Sequence, residues 1–340
     1  LTLTNTYIVR HVGERSPRYV LGQVSQSDFF GALDDPPEVV YPRPRVAIIL
    51  AVANQKGGVG KTTTSVNLAA SLAAAERTTL LVDCDPQGNA TSGSGVDRRA
   101  IERSIYDVLV SQATIEGAAM PTALARLHVV PATQDLVAAE LELVDHPGRA
   151  TILRDALALV RDRWDYVILD CPPSLGLLTV NALTAADRLI VPLQCEYFAL
   201  EGLTHLMATV DRIRGALNPS LEVEGIVLTM FDGRNSLTHQ VADEVRGHFH
   251  VFDTVIPRNV RLSEAPSHGK PALLYDAQSR GALAYLGLAR ELSDRLRSAT
   301  PAATEAVSPL PAQAEPPVVS SSPEGSAKRA RAPRARAAKP

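Results

Sequence analysis

Lysine is the rarest charged side chain in this sequence. Of 34 basic residues only Lys56, Lys61, Lys270, Lys328 and Lys339 are lysine, and arginine serves everywhere else. Cysteine is rarer still, and Cys84, Cys171 and Cys195 form no Cys-x-x-Cys pair. A disulfide framework or a zinc site is therefore not expected, and a reducing cytoplasm is the natural compartment. No apolar run approaches the roughly 18 residues of a membrane span. The longest early run, residues 46–53, is strand-sized. The first residues lack a charged segment followed by an apolar one, so no secretory signal is expected. Net charge is −3, with no global positive excess to suggest a nucleic-acid-binding protein. Residues 301–340 hold six Lys/Arg against three Asp/Glu, which leaves −6 for residues 1–300. Any nucleic-acid contact of the folded part then has to come from a local patch.

What is present is an alternating pattern. The 340 residues, 45% hydrophobic, suffice for one large core. Between residues 46 and 298, short β-branched runs alternate with longer helical patterns. The expected strands are 46–54, 79–83, 127–130, 166–170, 188–191, 223–230 and 252–256. The expected helices are 62–75, 152–163, 175–184, 200–217, 236–248 and 280–297. Such alternation with apolar strands implies an α/β fold, a mostly parallel twisted sheet with helices on both faces. Ligands of such folds bind beyond the carboxyl ends of the strands. No internal repeat is present. Residues 1–45 end in a stretch containing Pro36, Pro37, Pro42 and Pro44 and read as a flexible N-terminal extension. Residues 299–340 are rich in Ala, Pro and Ser without periodicity and read as a disordered tail. Its end, 328–336, is a basic arm without aromatics, equally a solvated tail or a weak contact to an anionic polymer.

Two of the three lysines before residue 300 sit five apart in one glycine-rich loop. A surface charge can be arginine. A compact ammonium entering a cradle of backbone amides cannot easily be a planar guanidinium. The expected strand at 46–54 runs into Gln55-Lys56-Gly57-Gly58-Val59-Gly60-Lys61-Thr62-Thr63 and then an Ala/Leu-rich helix, the context of a P-loop. The glycines let backbone amides turn toward phosphates, and the helix N-terminus adds partial positive charge. The fold class is thus P-loop NTPase-like, with ATP and Mg²⁺ as ligands. Lys61 is expected on the β/γ-phosphates and the Thr62 hydroxyl on Mg²⁺. The strict pattern requires glycine at position 55, where the chain has Gln55. Asp170 ends an apolar strand and suits a Walker-B carboxylate acting on Mg²⁺. Asp83 and Asp85 flank Cys84 just past the strand at 79–83, where a carboxylate orients the attacking water or helps hold the metal. Strand-end aspartates also cap helices and turns; the adjacent P-loop favours the catalytic reading.

These residues resemble the deviant Walker A, or ParA/MinD, class of P-loop ATPases, whose extra lysine is here Lys56. Segments 83–95 (DCDPQGNATSGSG), 170–182 (DCPPSLGLLTVNA), 194–203 (QCEYFALEGL) and 256–271 (IPRNVRLSEAPSHGKP) are similar to the chromosomal ParA (Soj) subgroup. The resemblance covers residues 46–298 as an ATPase domain and leaves 1–45 and 299–340 outside. It implies a weak Mg-dependent ATPase for chromosome partition that forms an ATP-sandwich homodimer. It also implies binding to non-specific DNA of the nucleoid, and stimulation by a ParB-like centromere-binding protein. By the same resemblance Lys56 would reach the partner subunit's phosphates, with Gly57 near the dimer junction. Asp85 would position the hydrolytic water, Pro257 and Asn259 would lie near the adenine, and Arg234 and Arg261 would contact DNA. Taken alone, Arg234 and Arg261 read more readily as solvated or internally paired arginines than as DNA contacts.

Two other readings stand beside this one. A MinD-like membrane-associated positioning ATPase shares the loop, and segment 280–297 is amphipathic. A long Pro-rich tail follows it, however, and the terminal arm lacks large apolar residues. A metabolic or redox enzyme of the same fold, such as a nitrogenase-iron-protein relative or an ATP-dependent ligase, would need Cys84 or Cys171 paired between subunits. Small buried thiols are the commoner case.

Overall fold

The computed structural model describes residues 7–11, 18–22, 46–196 and 199–299. Strands β1 (Tyr7–His11) and β2 (Arg18–Gly22) pair antiparallel in a two-stranded sheet. The rest of the expected extension, and the expected tail beyond residue 299, lie outside the described residues.

From residue 46 the strand–helix alternation is observed. The chain runs β3 (Ile48–Val52), α1 (Lys61–Ala74), β4 (Thr79–Asp83), β5 (Met120–Pro121), β6 (Leu127–Val130), α2 (Leu136–Glu142) and α3 (Ile152–Ala158). It continues through β7 (Tyr166–Asp170), α4 (Leu177–Ala185), β8 (Arg188–Gln194), α5 (Ala199–Ala216), β9 (Glu222–Thr229), α6 (Ser236–His248) and α7 (Arg280–Ala299). The seven-stranded sheet has the order β5-β6-β4-β7-β3-β8-β9, parallel except where β5 pairs with β6.

Strand alternation explains the layering. Ile49, Ala51, Leu80, Val82, Val167 and Leu169 face a core closed by residues of α2 to α6. Their neighbours Leu50, Val52, Leu81 and Ile168 face the opposite core, closed by α1 and α7. Strands buried on both faces read as continuous apolar runs, which is why β4 and β7 were legible to the residue. The apolar face of α7, with Tyr285, Leu288, Leu292 and Leu296, is consumed in this core, and Tyr285 Oη lies 3.1 Å from Thr64 Oγ1 of α1. Among the described residues no helix is long and apolar enough to cross a membrane.

The chain leaves β3 toward β4 on one side and leaves β7 toward β8 on the other, although β3 and β7 are neighbours. The connections therefore diverge at the carboxyl ends of β3 and β7 and open a crevice there. In the parallel register Asp170 stands beside Val52 on one side and Asp83 on the other.

Residues 252–256 do not form the expected strand. The Phe252 and Ile256 amides reach the Ile226 and Leu228 carbonyls of β9, at 2.9 and 2.8 Å. The Asp253 and Thr254 amides between them turn instead to the Glu291 carboxylate of α7, at 2.8 and 2.9 Å. A side chain from a distant helix interrupts the ladder. The expected helix at 152–163 ends at Ala158, with a separate 3₁₀ turn at Arg161–Arg163.

Candidate functional site

The loop between β3 and α1 is braced from three directions. Gly60, the residue before α1, has φ +86°, a left-handed conformation that favours glycine. Thr229 at the end of β9 donates its Oγ1–H to the Val59 carbonyl at 2.8 Å. Asn54 accepts the Lys56 amide at 3.0 Å and donates to the Pro192 carbonyl at 2.8 Å. No side chain caps α1, so the first-turn amides and the positive end of the helix face the loop's concavity. Lys61 opens α1 and is only 7% exposed, its Nζ donating to the Lys56 carbonyl at 2.9 Å. Burial pulls its proton affinity down, against the carboxylates of Asp170 and Asp85. Lys56, half-exposed, is ion-paired to Glu196 of its own chain.

The carboxylates lie below this loop. Asp170 is fully buried and accepts the Ser65 hydroxyl at 2.8 Å on Oδ1, while Oδ2 has no hydrogen-bond partner among the described residues. The Thr62 side chain lies against the same carboxyl group. Burial first, and then the neighbouring Asp83, push Asp170 above the ordinary carboxylate range. Asp83 is raised by burial too, although Thr91 donates both its amide and its hydroxyl to it at 2.7 Å. Asp83 in turn accepts the Asp85 amide at 3.2 Å, and Asp85 accepts the Gln87 amide at 2.9 Å. The turn carrying Asp85 is thereby held just beyond β4.

This donor set fits Mg²⁺. Among the described residues no group of three or more His, Cys, Asp or Glu could cage a metal alone. Mg²⁺ is bound instead through one or two carboxylates together with substrate phosphates. An orphaned buried carboxylate oxygen beside a threonine hydroxyl would supply the protein's share. The raised value of Asp170 yields a sign. Between the ordinary value of 3.8 and the raised one, the folded chain keeps a proton that the unfolded chain loses, so stability falls as pH rises through that window. Below about pH 4 both states are protonated and the cost vanishes. Asp170→Asn is expected to raise the Tm of the unliganded protein at pH 8 by several degrees, on the order of 1–3 kcal/mol, with no gain at pH 4. Calorimetry at the two pH values checks this, and the same variant should lose ATP turnover.

The remaining expected residues lie near the end of β9. Phe231 bridges Pro257, which sets the loop bearing Arg234 beside residues 257–261. Asn259 accepts the Arg261 amide at 2.9 Å and caps the short helix Val260–Glu264. Arg234 is 93% exposed, with Asp232 3.3 Å away. The Arg234 amide and side chain hold Asp232 below its usual range, and Arg258 adds to this, so a third arginine belongs to the group. Arg261 differs from Arg234: it is paired with Glu264 and Asp276. Burial pushes the Cys84 and Cys171 thiols up, which leaves them small apolar fillers under the site. Sequence reasoning missed the supporting residues Asn54, Ser65, Glu196, Thr229 and Arg258. Glu196 and Arg258 lay within quoted motifs, and their roles needed the fold.

A family profile described as an AAA domain matches residues 47–223. The chain is 58% identical over 252 residues to the chromosome partitioning protein ParA of Myxococcus xanthus, covering 74% of this chain and 89% of that one. It is 53% identical over 253 residues to the chromosome-partitioning ATPase Soj of Thermus thermophilus, covering 74% and 97%. Among solved structures, cobyrinic acid a,c-diamide synthase from Mycobacterium smegmatis, with bound ATP analog and magnesium, superposes with a TM-score of 0.66. Identity there is 37%, over 75% of this chain and 97% of that one. The cell division ATPase MinD of Pyrococcus furiosus gives 0.63 at 26% identity, over 73% and 99%. With the deviant P-loop, the paired carboxylates and these identities together, the chain belongs to the ParA/Soj family of chromosome-partitioning ATPases.

Proposed function

We propose that this chain is an ATP-driven switch that partitions chromosomal DNA, and that Lys56 is what makes nucleotide binding a dimerisation signal. The supporting observation is the split between the loop's two lysines. Lys61 is buried and turned back onto the loop, whereas the Lys56 ammonium stands at the surface, paired with Glu196. An exposed lysine that exchanges a carboxylate for the γ-phosphate of a second subunit's ATP would join two chains only while that phosphate is there.

Within one subunit the residues divide the work. The amides of Gly57 to Thr63 hold the phosphate chain, and Lys61 neutralises charge on the β/γ-phosphates. Thr62 and Asp170, with Asp85, would hold Mg²⁺, which neutralises phosphate charge when bound. Asp85 accepts a hydrogen bond from the attacking water and aims it at the γ-phosphorus. Pro257 and Asn259 border the adenine, close enough to the loop for Thr229 and Phe231 to connect the two. A ParB-like partner would speed this hydrolysis.

Dimerisation doubles the patch around Arg234, Arg258 and Arg261. Because each phosphate contact releases counterions, doubling the contacts strengthens binding to random DNA steeply and makes it salt-sensitive. Hydrolysis removes the bridge and the DNA is released, which would place the ATP form on the nucleoid. Arg234→Glu should abolish ATP-dependent retention on random-sequence DNA at moderate salt while dimerisation persists in sedimentation. Retained binding would move the patch elsewhere. A MinD-like membrane role is disfavoured because the apolar face of α7 is already used in the core.

A further inference from the structure

Arg234 and Arg261 are not equivalent cations. Arg261 Nη1 donates to Glu264 Oε2 at 2.9 Å, and its Nε lies 3.2 Å from Asp276 Oδ2. Its guanidinium carbon stands 6.0 Å from the centre of the Tyr275 ring. That ring is stacked on His268 at 4.9 Å, and its hydroxyl lies 3.2 Å from the same Glu264 oxygen. Two carboxylates around one guanidinium leave this spot with a net negative charge, although the side chain is 46% exposed. A DNA phosphate approaching Arg261 therefore meets two carboxylates of like charge beside the guanidinium.

We propose that Glu264 and Asp276 are built-in competitors of DNA phosphate for Arg261. This rests on the DNA-binding reading above: contact through Arg261 is an exchange of two carboxylates for phosphates, and the pair sets how strong a phosphate field the exchange needs. A doubled patch on a dimer supplies such a field better than one subunit does.

The clamp is also tied to the helix that opens at the phosphate loop. Asn67 of α1 donates to the Thr63 carbonyl at 2.8 Å and accepts the Ala272 amide at 2.7 Å. The Ala272 carbonyl accepts the Asp276 amide at 2.8 Å. One side chain therefore links the first turn of α1, which follows the phosphate loop, to the turn that carries Asp276. On the other side of the clamp, a Cβ on Gly95 would sit 2.7 Å from the Gly269 carbonyl. The segment holding His268 is thus packed directly against the residues that end the short helix Asn89–Gly93, which follows the Asp85 turn. Movement of α1 or of the helix after Asp85 would reach the arginine through these contacts.

The test uses the full chain with Glu264→Gln and Asp276→Asn together. Binding to a random-sequence duplex is measured with ADP and with ATP across a salt series. Exposed pairs of this kind are worth little each, so the ADP-state affinity is expected to rise roughly three- to tenfold. The slope of log affinity against log salt should steepen by about one, the signature of one added phosphate contact. Adding Arg261→Ala should erase both gains. Asp276→Asn alone, the milder change, should give a smaller rise of the same kind. An unchanged affinity and slope in both variants would overturn the clamp, with wild-type ATP-dependent binding leaving the DNA reading intact. A gain that survives Arg261→Ala would also overturn it, since the effect would then be only the loss of two negative charges. A wild-type chain that binds DNA with neither nucleotide would remove the DNA reading, and the clamp with it.

Discussion

Replacing Asp85 with alanine should lower ATP turnover by about 100-fold or more, the usual range for a positioned acid–base group. The loss should come without loss of ATP binding or of ATP-dependent DNA retention. The carboxylate sits just beyond β4 on a turn held by Asp83, which is itself secured by both donors of Thr91. Alanine removes one hydrogen bond to the Gln87 amide, a cost of about 1 kcal/mol that leaves the rest of the turn in place. The variant should therefore fold, bind ATP, and remain on DNA because the bridging γ-phosphate is not removed. Asp85→Asn is the sharper control. It preserves the turn but weakens the acceptor, and it should be slow as well. Wild-type turnover in either variant would contradict the assignment of Asp85 to the attacking water.

Lys56→Ala should abolish ATP-dependent dimerisation while ATP binding by the single chain survives. The Lys56–Glu196 ion pair is half-exposed, and pairs of that kind contribute about 1 kcal/mol or less to folding. The fold should tolerate its loss. Arginine at this position should not restore the dimer, because a planar guanidinium does not replace a compact ammonium at a phosphate. Sedimentation with a non-hydrolysable ATP analogue reads the result directly. An unchanged dimer population would place the cross-subunit contact on another residue.

The central part of this protein was legible from sequence for an identifiable reason. Strands buried on both faces are written as uninterrupted apolar runs, and a P-loop needs glycine, lysine and hydroxyl residues in a set order. Both signals are local. Residues 252–256 misled because Glu291, far along the chain, takes two of their amides. The short helices Asn89–Gly93, Ile105–Leu109 and Val260–Glu264 are too brief for a helical period to show. The sequence pattern treated Arg234 and Arg261 alike, whereas the fold sets two carboxylates on only the second. Glu196 likewise acquires meaning only when the turn after β8 comes to Lys56. Supporting partners are set by tertiary contact and leave no spacing to read.

The proposed switch requires that ATP, rather than ADP, turn the chain into a DNA-binding dimer. The most direct measurement is co-sedimentation of the full chain, with each nucleotide in turn, against random-sequence DNA and against vesicles of anionic phospholipid. The predicted result is retention on DNA with ATP, weak retention with ADP, steep loss as salt is raised, and no nucleotide-dependent binding to vesicles. ATP-dependent capture by the vesicles, with DNA binding indifferent to nucleotide, would contradict it.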